Sequence, residues 1–302
     1  MKKLAHEKWS GTTYGNGWMH RWLVRILRAV DVRFIYAFAS VFVVPPTMLV
    51  NRRSPRVMYG YFRRRHGYGR IRACAATLRN HCLFAQVVID RFAMYAGKKF
   101  DITIDGYEHF TGLAAGKAGF VQLSSHIGNY EIAGYSLIAK EKRFNALVFG
   151  GEKASVMQGR SSLFDGNNIR MIAMSADMSH LFTIDRALTD GEIVSMPADR
   201  VFGSQKSFSL PFMGALAKFP QGPFMMAALR EVPVLFVSVM KESARRYRIS
   251  VEPLSLPDNT LPARRRAEAL AAEYVKHLEA TVRRYPTQWY NYFDFWTLDG
   301  LQ

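Results

Sequence analysis

The stretch FVQLSSHIGNYEIAGYSLIAK, residues 120–140, contains one complete strand-to-helix unit. Phe120 to Ser124 form a short apolar run, which predicts a buried strand. Gly128 and Asn129 then open a helix that is predicted over residues 129–140. A strand followed at once by a helix is the building unit of α/β domains.

The same alternation extends in both directions from this unit. Further short strands are predicted over residues 100–105, 146–149, 193–196, 232–240 and 247–251. Helices are predicted over residues 178–188, with Asp177 as N-cap and Gly191 past the end, over 224–230 after Pro223, and over 262–284. The pattern predicts an α/β fold with a central mixed sheet flanked by helices, over residues 98–302.

Positive charge is concentrated near the N-terminus. The 302 residues include 41 Lys and Arg against 24 Asp and Glu, a net charge of +17. Residues 1–72 alone contain fifteen of the basic residues and two acids, so they hold +13 of the excess. This balance favours an anionic partner, either nucleic acid or an anionic membrane surface.

Residues 1–97 are predicted to form a basic helical region with a membrane anchor. Residues 34–50, FIYAFASVFVVPPTMLV, reach only the lower length limit of a spanning helix, and Pro45 and Pro46 are expected to break its last turns. Basic residues flank this segment on both sides, whereas a spanning helix carries them mainly on one. We therefore predict an in-plane or re-entrant anchor on an anionic inner leaflet, with a true span and a buried core helix as alternatives.

A second membrane-active element is predicted before this anchor. Trp18, Trp22 and Ile26 share a helical pattern with three arginines, Arg21, Arg25 and Arg28. Aromatic and basic residues on one helix are typical of a lipid interface. The alternative is a solvated helix whose tryptophans pack on the domain. Because the charge surrounds an apolar segment, an anionic membrane is favoured over nucleic acid.

Several common chemistries are excluded by motif. The sequence contains no G-x-S-x-G elbow, and residues 112–117, GLAAGK, are one residue short of a P-loop. The only two cysteines, Cys74 and Cys82, form no CxxC pair, and no histidines cluster at ligand spacing. We therefore expect neither a disulfide framework nor a metal site.

Residues 123–131, LSSHIGNYE, are the segment that indicates chemistry. His126 lies on the turn after a predicted strand, and Glu131 follows five residues later, in the first turn of the predicted helix. A histidine paired with a carboxylate is the arrangement that general-base catalysis on a hydroxyl requires. Spacing alone also allows a structural capping arrangement.

Three blocks of sequence resemble one known family, in the same order. They are SSHIGNYEIAG at residues 124–134, SMPADRVFGSQKSFSLPFMGALAKFPQGP at 195–223, and LEATVRRYPTQWYNYFDFW at 278–296. All three are similar to motifs of the late acyltransferases of lipid A biosynthesis, within the lysophospholipid acyltransferase group. The basic helix before an apolar segment also resembles that family's arrangement.

The resemblance has departures. Glu131 stands where the wider group usually has Asp, a variant that the lipid A branch commonly shows. Asp199 is followed by Arg200, where many lipid A enzymes have Asp-Gln-Asp. The tail NYFDFW, residues 291–296, is closer to relatives that act on other lipids, such as those of aryl polyene pathways.

The resemblance implies a glycerol-phosphate acyltransferase-like fold and transfer of a fatty acyl chain. The donor would be an acyl thioester of acyl carrier protein or coenzyme A, and the acceptor a hydroxyl of a lipid A precursor. His126 would be the general base and Glu131 would orient it. No cofactor or metal beyond the donor is implied, and the enzyme would work at the cytoplasmic face of a bacterial inner membrane.

The same resemblance suggests the groups that bind substrate and oxyanion. Arg200 is expected to stabilise the oxyanion or an acceptor phosphate, with Asp199 beside it. The backbone N–H groups of Gly128 and Asn129 are expected to be secondary donors. Other possibilities are Arg160 or Arg170 in this role, an ordinary ion pair between Arg200 and Asp199, or a surface position for Arg200 without a functional role.

Two further functional hypotheses stay open. The same fold could acylate a lysophospholipid, a glycolipid or an aryl polyene acceptor. Alternatively, the chain could be a non-enzymatic basic protein that binds anionic lipid or nucleic acid. The sequence leaves the oligomeric state open.

Overall fold

The domain is built on a seven-stranded sheet. The computed structural model describes residues 17–148, 168–175, 178–201, 206–257 and 259–296. In chain order its strands are β1 (Asp101–Asp105), β2 (Phe120–Ser124), β3 (Phe144–Val148), β4 (Ile169–Ala173), β5 (Ile193–Pro197), β6 (Ser207–Phe212), β7 (Ala215–Pro220), β8 (Val234–Lys241) and β9 (Arg246–Leu254).

The sheet is mixed, which confirms the predicted fold class. The strand order is β1-β9-β8-β2-β5-β3-β4, and β6 and β7 form a separate hairpin. Each neighbouring pair in the large sheet is parallel except β8 and β9, which are antiparallel. The central strands β2 and β8 are buried along their whole length, as parallel strands covered on both faces require.

Helices cover both faces of the sheet, and further helices precede them in the chain. They are α1 (Gly17–Ala29), α2 (Val32–Phe38), α3 (Val44–Val50), α4 (Arg53–Arg65), α5 (Arg70–Tyr95), α6 (Tyr107–Ala115), α7 (Glu131–Ser136), α8 (Ser179–Thr189), α9 (Gly222–Arg230) and α10 (Ala263–Arg284), and a 3₁₀ turn at Pro286–Gln288 follows α10. Val121 and Leu123 of β2 face a core shared with α4, α5, α8, α9 and α10. Phe120 faces the opposite core, shared with α6 and α7, as the two-residue period of a strand dictates.

Several elements differ from those predicted. The helix predicted over residues 129–140 is shorter, since α7 begins at Glu131 and ends at Ser136. Strand β4 and the β6–β7 hairpin were not predicted, because β4 is an edge strand with Arg170 inside it and β6 contains a proline. The predicted N-cap Asp177 lies outside the described residues.

The predicted anchor is a nearly continuous helix, and the expectation that its prolines break it is wrong. A π-helical turn, Ala39–Val43, joins α2 to α3, and Pro45 and Pro46 lie in the first turn of α3. Proline is tolerated there, because a first-turn N–H needs no partner within the helix. Within the described residues, Val32–Val50 is the one helix long and apolar enough to cross a membrane by length and composition.

Candidate active site

Two neighbouring parallel strands deliver the central pair of side chains. β2 and β5 pair in register, with Ser124 opposite Pro197 at their carboxyl ends. His126 lies two residues beyond the end of β2, and Asp199 lies two residues beyond the end of β5. Because parallel strands end at the same edge of the sheet, these two residues meet there although 73 positions separate them.

The contact between His126 and Asp199 has two hydrogen bonds. The ring nitrogen Nδ1 of His126 lies 2.7 Å from Oδ1 of Asp199, and the backbone N–H of His126 donates to Oδ2 at 3.0 Å. The Asp199 side chain is 0% exposed, whereas that of His126 is 16% exposed. An ionised Asp199 fixes the proton on Nδ1, so the lone pair is on Nε2 of a ring that solvent or substrate can reach.

The surroundings keep this pair in the form that a general base needs. Burial lowers the pKa of His126, and the nearby charge of Arg200 lowers it further, against the opposing effect of Asp199. Burial alone would raise the pKa of Asp199, but the charge and the hydrogen bonds of His126, together with the charge of Arg200, lower it overall. His126 is therefore neutral and Asp199 ionised at neutral pH.

The loop after His126 is fixed by backbone hydrogen bonds, and these overturn one prediction. The N–H of Gly128 donates to the carbonyl of Gln288 at 2.8 Å, and the N–H of Asn129 donates to the carbonyl of Val239 at 2.8 Å. Both donors are thus committed to the scaffold and are unavailable to an oxyanion. Gly128 also has φ +56, and a Cβ on it would lie 1.9 Å from the Val239 carbonyl oxygen, so only glycine fits there.

Glu131 has a different partner from the one predicted. Its Oε1 lies 2.7 Å from the guanidinium of Arg91 on α5, and both side chains are largely buried. The carboxylate bonded to the His126 ring is Asp199 and not Glu131. Helix α7 begins at Glu131 itself, so the loop of residues 125–130 separates the two side chains, and the acid joins that loop to α5.

The arginine candidates fall in three places. Arg200 is buried, donates to the carbonyl of Tyr290 at 2.7 Å, and lies over the ring of Phe293 at 5.6 Å. Among the described residues, no ion pair within 4 Å joins it to Asp199, so the ordinary ion pair does not describe it. Arg170 on β4 instead donates to Asn145 at 2.7 Å and pairs with Glu192 at 3.5 Å. Arg160 lies outside the described residues.

A buried polar cluster supports the loop that carries His126 from the side of α5. Asp90, 0% exposed, accepts hydrogen bonds from Tyr36 of α2, Lys241 of β8 and Tyr247 of β9. The amide of Asn129 in turn donates to the hydroxyl oxygen of Tyr247 at 3.4 Å. The cluster therefore links the apolar N-terminal helix to the loop that carries His126. No group of three or more His, Cys, Asp or Glu able to hold a metal occurs in the described part of the chain.

Comparison with known families decides the class of protein. The family model described as bacterial lipid A biosynthesis acyltransferase matches residues 88–296, more than two thirds of the chain. The chain belongs to this family. The match contains His126, Glu131 and Asp199 and the nine strands of the described residues, so the resemblance found in three blocks of sequence is confirmed over residues 88–296.

The acyltransferase also has a distant structural likeness. The crystal structure of the 1-acyl-sn-glycerophosphate acyltransferase PlsC from Thermotoga maritima is 15% identical, with a TM-score of 0.37, and covers 88% of this chain and 98% of its own. No curated protein sequence matches the chain.

One contact in the candidate site of the acyltransferase was missed by sequence reasoning. Asp199 was expected to bind substrate beside Arg200, whereas its carboxylate is hydrogen-bonded to the His126 ring. The sequence did contain one signal, since His126 and Asp199 each lie two residues after the end of an apolar strand. Using it required knowing that β2 and β5 are neighbours, which the order of strands along the chain does not reveal.

Proposed function

We propose that this acyltransferase moves a fatty acyl chain from an acyl thioester to a hydroxyl of a lipid A precursor, with His126 as general base oriented by Asp199. In the first step Nε2 takes the hydroxyl proton as the oxygen attacks the thioester carbonyl carbon. In the second step the tetrahedral intermediate collapses, the C–S bond breaks, and the imidazolium returns the proton to the leaving thiolate. The products are a lipid ester and the free thiol of acyl carrier protein or coenzyme A.

The hydrogen-bonded pair of His126 and Asp199 is the observation that carries this proposal. The buried carboxylate holds the ring in one tautomer and stabilises the imidazolium that forms between the two steps. Because burial and Arg200 lower the pKa of His126, the base is not already protonated at neutral pH. Glu131 acts on His126 only indirectly. Its ion pair with Arg91 fixes the start of α7, and so the position of the loop that precedes α7 and carries His126.

Arg200 is the group proposed to stabilise the oxyanion or an acceptor phosphate. Its charge is close enough to act on the pKa of both His126 and Asp199. Burial strengthens the effect of that charge on a negative centre, because the local dielectric constant is low. The backbone groups of Gly128 and Asn129 take no part, since both donate to carbonyls of the scaffold.

We also propose that the N-terminal helices hold the enzyme on an anionic inner leaflet. On α1, Trp18 is 60% exposed and Trp22 44% exposed, so both rings leave a large part of their surface accessible. Arg25 lies over the Trp22 ring at 5.2 Å. On the following helix, Phe42 and Val50 are 65% and 88% exposed. Exposed aromatic and aliphatic side chains beside arginines match the chemistry of a lipid interface.

The packing of the apolar helix favours an in-plane anchor over a span. Val32, Tyr36 and Ala39 are buried in a cluster with Phe92 and other residues of α5, and α3 also contacts α5. Helix α5 carries charged residues along its length. A helix packed beside α5 cannot cross the bilayer without drawing those charges into the hydrocarbon.

Purified full-length enzyme in detergent tests the reaction. It is incubated with an acyl-carrier-protein thioester or a coenzyme A thioester, together with a lipid A precursor, and products are identified by mass spectrometry. We expect one added acyl ester on the lipid A precursor. If an ester forms only on a lysophospholipid, glycolipid or aryl polyene, that compound class replaces the lipid A precursor as the proposed acceptor. No transfer to any of these acceptors would refute the proposal.

A further inference from the structure

A basic groove lies apart from the pair of His126 and Asp199. It is a cavity of about 570 Å³ between the first half of α5, the end of α10 and the turn that follows α10. Its lining includes Arg72, Arg79 and Arg284, and none of His126, Asp199 and Arg200 is part of it. Its volume is within the range of small-molecule sites.

The groove exists because α5 presents small residues between two arginines. Arg72, Ala75, Ala76 and Arg79 all line it, and their spacing of three, four and seven residues places them on one helix face. The two alanines leave space that a larger side chain would fill. Arg284 faces this space from the last turn of α10, so three guanidinium groups surround one concavity.

The three arginines of the groove form no ion pair with the described residues. Among the residues that the structure describes, no carboxylate lies within 4 Å of Arg72, Arg79 or Arg284. The one acid in the lining, Glu242, accepts from Arg248 at 2.6 Å. The one lysine in the lining, Lys241, pairs with buried Asp90. Three arginines therefore remain for an external anion.

Two of these arginines are held in place by aromatic rings. The guanidinium of Arg72 lies 3.8 Å from the ring centroid of Tyr68, and that of Arg284 lies 5.3 Å from that of Tyr285. Stacking on a ring leaves the N–H edge of a guanidinium available for hydrogen bonds. The first turn of α5 also contains no acid, so its positive dipole end adds to the potential.

We propose that this groove, formed by Arg72, Arg79 and Arg284, is a binding site for a phosphate group of a phosphate mono- or diester. Guanidinium forks match tetrahedral phosphate oxygens with paired charge-assisted hydrogen bonds. The groove is connected to the candidate active site through residues 288–290. Gln288 lines the groove. The next residue, Trp289, forms a β-bridge with Ile127, and the N–H of Tyr290 donates to the carbonyl of His126. The phosphate can come from the pantetheine arm of a thioester donor or from a phospholipid headgroup.

Equilibrium binding to the full chain in detergent tests this site without using catalytic activity. The probe is inorganic pyrophosphate, measured by titration calorimetry with wild type, R72A/R284A and R264A. Arg264 is a matched control, because it is an exposed arginine on the same helix α10 and lies about 30 Å from Arg284 along the helix. We expect saturable binding that weakens roughly tenfold or more in R72A/R284A and is unchanged in R264A. R284K should bind between the two, because lysine keeps the charge and loses the fork.

Two further arms identify the source of the phosphate. Coenzyme A is titrated in one arm, and vesicles of phosphatidylcholine with 30% phosphatidylglycerol are used in the other. Weaker binding of R72A/R284A than of R264A to coenzyme A assigns the site to the thioester donor, and weaker binding to vesicles assigns it to a headgroup. Equal binding of the two variants to all three probes would overturn the proposal. The proposed acyl transfer would stand or fall separately, because it is read from ester formation.

Discussion

Replacing Asp199 by Asn is the substitution that best separates the two carboxylates near His126. Asp199 accepts two hydrogen bonds from His126, at 2.7 Å from Nδ1 and at 3.0 Å from the backbone N–H, and is fully buried. An amide has one oxygen, so it can accept only one of these bonds. If its NH₂ faces Nδ1, the ring must carry its proton on Nε2 and can no longer act as a base.

We expect a large decrease in kcat for Asp199→Asn and a small decrease for Glu131→Gln. A wrong tautomer of this kind lowers kcat by about 10⁴, which corresponds to roughly 5.5 kcal/mol of transition-state stabilisation. Glu131→Gln makes the same change of charge in a side chain that pairs with Arg91. We expect it to lower kcat by less than about 100-fold, because it acts on the base only through the loop.

Initial rates of ester formation, measured by mass spectrometry at saturating donor, distinguish these outcomes. Thermal unfolding of each variant provides the control, because rates are compared only for protein that is folded at the assay temperature. A loss that is greater in Glu131→Gln than in Asp199→Asn would refute the assignment of Asp199 as the orienting acid.

Three other expectations follow from the same structure. Asp90→Ala should destabilise the fold by about 3–5 kcal/mol, since it leaves the charge of Lys241 buried without its acid; chemical denaturation measures this, and an effect under about 1 kcal/mol would contradict it. Gly128→Ala should displace the loop and lower both stability and activity, because its Cβ would meet the carbonyl of Val239. A variant with the melting temperature and the ester-forming rate of the wild type would contradict this expectation. In the pH profile of kcat/KM, the fall on the acid side should have its midpoint below pH 6.5, because the base must be neutral and the pKa of His126 is lowered. A midpoint above pH 6.5 would contradict this expectation.

Much of the sheet could be predicted from local sequence, because buried strands of an α/β domain are short apolar runs. Residues 120–124 and 193–196 were predicted within one residue of the strands observed. Strand β4 could not be found in this way, since an edge strand tolerates a polar residue such as Arg170. The prolines of the N-terminal helix were misread, because they lie in the first turn of α3, after a π-helical turn, and not in its last turns.

The contact between His126 and Asp199 could be predicted at its histidine and not at its carboxylate. His126 follows a strand and precedes a helix, which local sequence shows. Its partner Asp199 is distant along the chain and becomes adjacent only through the pairing of β2 with β5. Glu131 was favoured because it is near in sequence, but it is the first residue of α7 and pairs with Arg91. Residues 1–97 were predicted to be helical, but their packing against the loop after His126 was not predicted.

The central claim is that His126 is the base that activates the acceptor hydroxyl. Its most direct test is the rate of acyl ester formation by His126→Ala, compared with wild type at equal donor, acceptor and folded protein. We expect a loss of about 10²–10⁴-fold in protein that is still folded at the assay temperature, because general-base catalysis contributes about this much. A His126→Ala variant that forms the ester at a rate within a few-fold of wild type would contradict the claim.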